Sequence, residues 1–511
     1  MADVIPFHNY RPVSELAAEY AALPYDVFTR AEAAAEIAAH PLSFLRIDKT
    51  TALMPTSVDE YDSRVYTRAR ELLLADEQTN VLIPEPDGKA HYYLYRLTSG
   101  QHTQIGIVAC VSTDDYNNNV IKRHENTRVH KRHDRVEHIA KLGAHTGPVL
   151  MAYRPHERIN AAIAYLVASS TPSSTLSSAP SFASFLTSFL APSSRFFRKL
   201  FSASNSGSFS SSSSKPNFGS SPRSSSKPSL GSSPRSSSRS SSRSNAGAHA
   251  GANAGAHAGA SAGSNAGSNA GAPAKLLYDF QTADGISHCI WRIDDEEIEA
   301  TIRQAFLEVE TMYIADGHHR AAAAAIIAEK QGGQSAYFLS VLFSAEQLEI
   351  LDYNRVVFDL YGHTLEEFLK LVGGKFELYA VPHEQTPYRP RQRGEIGMYV
   401  QGTWYRLVIP EKTRPTEPVA QLDVSILQER LLDPILGIDD PRSSTRIAYV
   451  GGVRGLEELE RRAKATGGVV FSLYPCSLDE LFTVADAGEL MPPKSTWFEP
   501  KPRSGLFIHK I

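Results

Sequence analysis

Apolar positions along this chain fall into short runs punctuated by polar turns. One boundary is sharper than the rest: Met312-Tyr-Ile-Ala runs into Asp316-Gly-His-His-Arg320, followed by five alanines and Ile326-Ile327. The pattern predicts a strand, a polar turn and a helix that propagates at once, because alanine is the best helix former. The same reading predicts paired strands over His91–Leu97 and Gln104–Val111, and single strands over Pro41–Ile47, Val149–Tyr153 and Ser340–Phe343. Hairpins are expected around Ala283-Asp-Gly285 and Gln401-Gly402. Helices are expected after Thr29, whose capping-box partner is Glu32, over Val58–Asp76 and Asp294–Val309, from a cap at Asp423 to Leu432, and after Ser477 with Glu480. Together these predict a mixed α/β fold, in two lobes whose cleft joins the polar segments.

Composition changes this picture in one place. Between Ser169 and Ala274 the chain is mostly Ser, Ala, Gly, Pro and Asn, with nine Lys or Arg and no Asp or Glu. Gly219-Ser-Ser-Pro-Arg223 recurs as Gly231-Ser-Ser-Pro-Arg235. Too little apolar surface is present to offset the entropy of ordering, so a disordered insertion is expected over 169–274, dividing the domain into parts 1–168 and 275–511. The aromatic stretch Phe182–Phe201 could form an amphipathic helix against a membrane or partner. The Arg/Ser repeats could be phosphorylated, or hold nucleic acid weakly. Removing the nine cations from a net charge of −4 leaves −13 for the rest, so no stable nucleic-acid partner is expected of the folded part. With 511 residues, two or three domains are expected. Three scattered cysteines, no basic-apolar leader and no apolar run of about 18 residues point to a cytoplasmic protein without a transmembrane segment.

Candidate chemistry gathers in two segments. Asp316-Gly-His-His-Arg320 supplies a carboxylate, a glycine permitting close backbone approach, two imidazoles and a guanidinium at a helix N-terminus, which suits an anion such as phosphate. The plainer alternative has Asp316 capping the helix and pairing with Arg320. The second segment, His124-Glu125-Asn-Thr127-Arg128 through His138, is rich in cations. It fails the H-E-x-x-H zinc pattern, because Arg128 stands where the second histidine belongs. Arg128, Lys131, Arg135 and His138 share one helical face, either as a solvated basic surface or as part of a site containing Glu125, a candidate base. Gly451-Gly-Val-Arg-Gly455, between a strand and the helix Leu456–Thr466, could hold phosphate, although it matches neither the Walker loop nor the full dinucleotide fingerprint. Asp352 and Arg355 are either a structural pair or site-lining, and Lys494 in Met491-Pro-Pro-Lys-Ser-Thr-Trp497 either reaches the site or covers a core edge.

Leu23-Pro-Tyr-Asp-Val27, Pro41-Leu-Ser-Phe-Leu45, Lys122-Arg-His-Glu-Asn-Thr-Arg128, Asp134-Arg135, Thr146-Gly-Pro148, Asp316-Gly-His-His-Arg320, Leu351-Asp-Tyr-Asn-Arg355 and Met491–Trp497 together resemble the family of domain of unknown function 1015. The Asp-Gly-His-His-Arg motif is also similar to that of free serine kinases with a ParB/sulfiredoxin-like core. That resemblance implies a phosphotransferase making O-phosphoserine from L-serine with pyrophosphate, ADP or ATP, with Mg²⁺ as cofactor. It implies Glu125, Asp316 and His318 as catalytic residues, with Asp316 on the metal. His124, Thr127, Arg128, Lys131, Arg135, Gly317, His319, Arg320 and Lys494 would bind phosphate and substrate. The alternative is a ParB-like nucleotide- or nucleic-acid-binding protein without kinase activity.

Overall fold

The computed structural model describes residues 1–170 and 272–511, together with Phe182 and Leu186. Most of the expected insertion, its repeats and most of the Phe182–Phe201 stretch lie outside the described residues; Ser169 and Ser170 end the helix Glu157–Ser170, Ala274 begins the strand Ala274–Gln281, and Phe182 is buried against Tyr165. The fold is mixed α/β, built on a nine-stranded and a six-stranded sheet with two smaller ones. In the larger sheet the order runs Ile121–Lys122, Met312–Asp316, Val149–Tyr153, Tyr337–Ser344, His102–Ser112, Tyr93–Ser99, Ser287–Ile293, Ala274–Gln281, and the ninth strand, Val4–Ile5, pairs off this path with His102–Ser112. Strands from both sides of the insertion therefore alternate within one sheet. Most pairs are antiparallel, but Ile121–Lys122 runs parallel to Met312–Asp316, with Met312 opposite Ile121 and Tyr313 opposite Lys122.

The strand Met312–Asp316 is apolar up to its last residue because both of its faces are covered. Tyr313 and Ala315 enter a core that continues into the six-stranded sheet through Val357, Ile396, Met398 and Phe471. Met312 and Ile314 face the opposite side, against Ala321, Ala322, Ala324 and Ala325 of the helix His318–Gln331. The remaining alanine, Ala323, meets Val136 and Ile139 of the helix Val129–Leu142. Small side chains let this helix lie close to the sheet and to its neighbour, which brings the basic segment alongside the Asp316 turn.

The two hairpins form as expected, with Gly285, Gln401 and Gly402 in left-handed conformations. Both capping boxes, Thr29/Glu32 and Ser477/Glu480, are closed. Two local expectations are corrected. Pro41–Ile47 is a turn leading into the helix Leu45–Asp48, not a strand; a short apolar run does not distinguish the two, and burial of Phe44, Leu45 and Ile47 around a helical turn decides it. Asp423 is not a cap: Leu422 holds the cap position, and the Asp423 carboxylate accepts from the Gly394 N–H (2.7 Å) and Arg414 (3.0 Å).

The glycine loop Gly451–Gly455 is explained by packing. A Cβ on Gly451 would collide with the Trp497 ring, and one on Gly452 with Asp352. Glu457 and Glu458 in the first turn of the following helix oppose a bound anion.

Gly468 precedes an inner strand of the smaller sheet, and an added Cβ would run into the backbone of Val357 and Phe358, which cannot yield. Gly468→Ala should therefore lower the unfolding free energy by about 1–3 kcal/mol in urea titration. Gly373→Ala, whose Cβ meets nothing, should be neutral or mildly stabilising.

Candidate functional site

Neighbouring parallel strands deliver their following loops to the same sheet edge. Ile121–Lys122 leads to His124-Glu125, and Met312–Asp316 to Gly317-His318-His319-Arg320. The two loops touch: the His124 and His318 rings meet edge to face with centroids 4.5 Å apart. Gly317 is the N-cap of the helix at φ 98°, a backbone region that favours glycine, and its N–H donates to Asp316 Oδ1 (2.7 Å). Asp316 does not pair with Arg320. Its other oxygen accepts from the Lys501 ammonium, supplied by the C-terminal segment. Burial opposes charge on Asp316, but Lys501, then Arg320 and His318, outweigh it and hold the carboxyl well below its usual range.

Arg320 turns away from the loop's open side. Its Nη1 donates to the Pro148 carbonyl (3.1 Å), and its Nη2 lies 3.9 Å from Asp48. Gly147 makes this possible, since a Cβ there would lie 3.2 Å from the Arg320 guanidinium carbon and 2.7 Å from Ser504 Oγ. Arg135, expected to grip substrate, is instead 5% exposed and committed to Asp48 (3.1 Å) and Asp134 (2.8 Å). The cause is tertiary: the helix face carrying Arg135 and His138 turns inward, where the guanidinium stacks 3.8 Å over the Tyr25 ring. Tyr25, Asp48 and Arg135 also line a cavity of about 20 Å³, room for a water.

The outer shell is different. Glu125 and Thr127 are half-buried and Arg128 exposed, and none of their side chains makes an ion pair or hydrogen bond within the described residues. Lys131 is likewise free of any ion pair; burial, then Lys494 and Arg128, lower its pKa while Asp26 opposes. Lys494 adopts a left-handed backbone (φ 60°), uncommon for a non-glycine and found preferentially at functional sites. Burial of its ammonium is outweighed by Tyr353, Glu125 and Asp26, so its pKa is raised. The segment carrying it is tied to the first loop by Met491 N–H donating to the His124 carbonyl (2.8 Å) and by Thr496 Oγ1, 3.2 Å from His124 Nε2. It also covers a core edge, since Trp497–Glu499 pairs with Glu349–Leu351. Asp352 and Arg355 do not pair with each other. Asp352 accepts from Asn354 and Arg389, while buried Arg355 donates to the Tyr353 and Pro493 carbonyls. Burial without a carboxylate brings the Arg355 pKa down to about 10.

The histidines are neutral at neutral pH. Burial first, then neighbouring charge, takes His124 to about 3 and His318 and His319 to about 4. His318 Nε2 and His319 Nδ1 are buried without a hydrogen-bond partner among the described residues. Such atoms suit a ligand that supplies the missing bond.

For Mg²⁺ the donor set is incomplete. Among the described residues no group of three acids, histidines or cysteines could hold a metal, and Asp316 already carries Lys501. The residues fit Mg²⁺ only if phosphate oxygens complete its shell, the usual habit of that ion.

Two side chains at the site were not singled out by sequence, Asp48 and Lys501; Asp26 falls in the turn Pro24-Tyr-Asp26 ahead of the Thr29 helix, which by sequence suits a ligand loop or a packing turn equally. Asp26 and Asp48 lie in or beside the quoted segments Leu23–Val27 and Pro41–Leu45; Lys501 had no sequence signal apart from its Pro-Lys-Pro setting.

Two outcomes test this arrangement. Asp48→Asn leaves two guanidiniums facing a neutral amide, and the unfolding free energy should fall by about 3–5 kcal/mol in denaturant titration. Stability should also fall with acid. His124, His318, His319 and His138, whose own value is about 4, protonate near 6.5 when unfolded but only near 3–4 when folded. The unfolded chain thus binds more protons between those values, so stability is complete above pH 6.5 and declines toward pH 4. His138→Gln should flatten that slope in denaturant titrations across the range.

No curated protein matches the chain. Among solved structures it is similar to a free serine kinase in complex with AMP, at 15% identity and TM-score 0.23, covering 39% of this chain and 73% of that one. A conserved hypothetical protein from Pyrococcus furiosus matches at 15% identity and TM-score 0.25, covering 39% and 76%. SbnI with C-terminal truncation from Staphylococcus aureus matches at 16% identity and TM-score 0.23, covering 39% and 68%. Fold likeness of this degree does not assign chemistry. The family model described as "Protein of unknown function (DUF1015)" matches residues 4–180 and 235–425, well over half of the sequence, and the chain belongs to that family.

Proposed function

We propose that this protein is a small-molecule phosphotransferase, a kinase that converts free L-serine to O-phosphoserine with pyrophosphate, ADP or ATP as donor. The observation that supports this reading is the meeting of His124-Glu125 with Asp316–Arg320 beyond the ends of two adjacent parallel strands. Phosphoryl transfer asks a protein mainly to position donor and acceptor and to stabilise charge on the moving group. The buried, unpartnered nitrogens of His318 and His319, beside a helix N-terminus, would take donor phosphate oxygens. Lys131 and Lys494, unpaired with any carboxylate among the described residues, would hold the transferring phosphoryl group and the acceptor carboxylate. Burial lowers the Lys131 pKa, and an arriving anion would raise it again. Arg128 and Thr127 stand at the rim, where they would contact the distal phosphate.

Glu125 is half-exposed and unpaired, as a general base must be to reach a hydroxyl. The serine oxygen would attack the terminal phosphorus and its proton would pass to Glu125. The bond to the leaving phosphate or nucleotide then breaks, and that group carries away the bonding pair. Mg²⁺, when bound with the donor, would neutralise charge on its oxygens. Arg320 and Arg135 would act at one remove, by fixing the loops. Asp316 would hold Lys501 toward the donor as well as meeting the ion.

Incubation with Mg²⁺, L-serine and each donor separately should yield O-phosphoserine by mass spectrometry. Glu125→Gln should lower kcat about 10²–10⁴-fold with an unchanged unfolding midpoint. Absence of product with every donor, together with salt-sensitive DNA binding, would favour a ParB-like nucleotide- or nucleic-acid-binding protein instead.

A further inference from the structure

Glu125 sits on the irregular loop between the strand Ile121–Lys122 and the helix Val129–Leu142, where neither element's hydrogen bonds hold it. The side chains of Glu125, Asn126 and Thr127 make no hydrogen bond or ion pair among the described residues. The loop is fixed one residue earlier, at His124, and the C-terminal segment does the fixing. Met491 N–H donates to the His124 carbonyl (2.8 Å), and Thr496 Oγ1 lies 3.2 Å from His124 Nε2. The ring also meets His318 edge to face with centroids 4.5 Å apart, and His124 is only 2% exposed. Met491 and Thr496 bracket a turn that is itself stiff. Pro492 and Pro493 restrict its backbone, Ser495 Oγ donates to the Pro492 carbonyl (2.6 Å), and Arg355 donates to the Pro493 carbonyl (3.3 Å). Past the turn, the Trp497 ring packs on Tyr353 at 5.1 Å, and Trp497–Glu499 pairs with Glu349–Leu351.

We infer that Thr496 is a positioning residue that fixes the carboxylate of Glu125 through His124. This rests on the phosphotransferase reading, in which Glu125 takes the proton of the acceptor hydroxyl. A general base works only within hydrogen-bond reach of that hydroxyl, and a displacement of about 1 Å costs up to about a hundredfold in rate. A carboxylate on an irregular loop has no such precision of its own. The Met491 bond to the His124 carbonyl is one fixed point, about which the loop can still swing. The Thr496 bond to the ring is a second, and two points taken from one stiff turn hold the backbone that carries Glu125. Lys494 lies between the two anchors, so the base and this cation keep one register. His124 thereby acts on the reaction through its neighbour, and Thr496 through His124.

The test is a double-mutant cycle on the full chain with Thr496→Val, Thr496→Ser and Glu125→Gln, assayed for O-phosphoserine with pyrophosphate, ADP or ATP, whichever the parent uses. Thr496→Val should lower kcat about ten- to a hundredfold, with the KM for L-serine and for the donor changed less than about threefold. Thr496→Ser, which keeps the hydroxyl, should recover most of kcat. In the Glu125→Gln background the same Thr496→Val change should cost less than about threefold, because the carboxylate it positions is gone. Nitrogen-15 spectra of histidine-labelled protein add a readout without turnover: the His124 ring signal should shift in Thr496→Val and stay in place in Thr496→Ser. Should Thr496→Val lower the unfolding midpoint, Thr496→Ala, smaller beside the ring, serves in the same cycle. Equal losses in both backgrounds would overturn the inference in favour of a general structural role. A His124 signal indifferent to Thr496→Val would overturn it too. An unchanged kcat would do so while leaving the kinase reading intact, and so would a raised donor KM at constant kcat, which would make Thr496 a phosphate ligand. If the parent phosphorylates no alcohol, the kinase reading falls and the positioning role with it.

Discussion

The parallel pairing of Ile121-Lys122 with Met312-Tyr313 is the constraint on which the rest of the site depends. Two residues from before the insertion and two from after it, paired in parallel, leave both following loops on one sheet edge. Antiparallel pairing would have sent one loop to each side. With the loops together, His124 meets His318, and the C-terminal segment closes over both. Its Met491 N–H bonds to His124, its Lys501 bonds to Asp316, and its Gly505 N–H donates to the Thr146 carbonyl (2.9 Å). Three stretches that are distant in sequence thereby become one surface.

The charges on that surface divide into two layers. The inner one is internally matched: Asp48 stands between Arg135 and Arg320, Asp134 supports Arg135, and Asp316 holds Lys501. Burial would penalise any of these alone, and pairing is what makes their charge tolerable. The outer layer of Asp26, Glu125, Lys131 and Lys494 makes no ion pair among the described residues. The inner layer sets geometry, and the outer layer is free to act on a ligand.

Much of the local architecture was legible in the sequence. The Asp316 turn was readable because an apolar run, a glycine and five alanines each favour one conformation over few residues. The Thr29 and Ser477 capping boxes were readable because both partners lie within one turn. Pro41–Ile47 was misread because short apolar runs suit either a strand or a buried helical turn. Gly451 and Gly452 suit a phosphate loop only weakly by sequence, and in the fold they make room for Trp497 and Asp352, neighbours that no local pattern announces.

The chain's own order of residues determined most of the elements, the two polar segments of the site and the family, since propensity, capping and motif spacing act over a few positions. Which charge meets which was decided only by tertiary structure. Asp316 took Lys501 rather than Arg320, and Arg135 turned inward to Asp48 rather than outward to substrate. Electrostatic attraction depends on distance through space and on shared burial, and neither quantity is set by separation along the backbone.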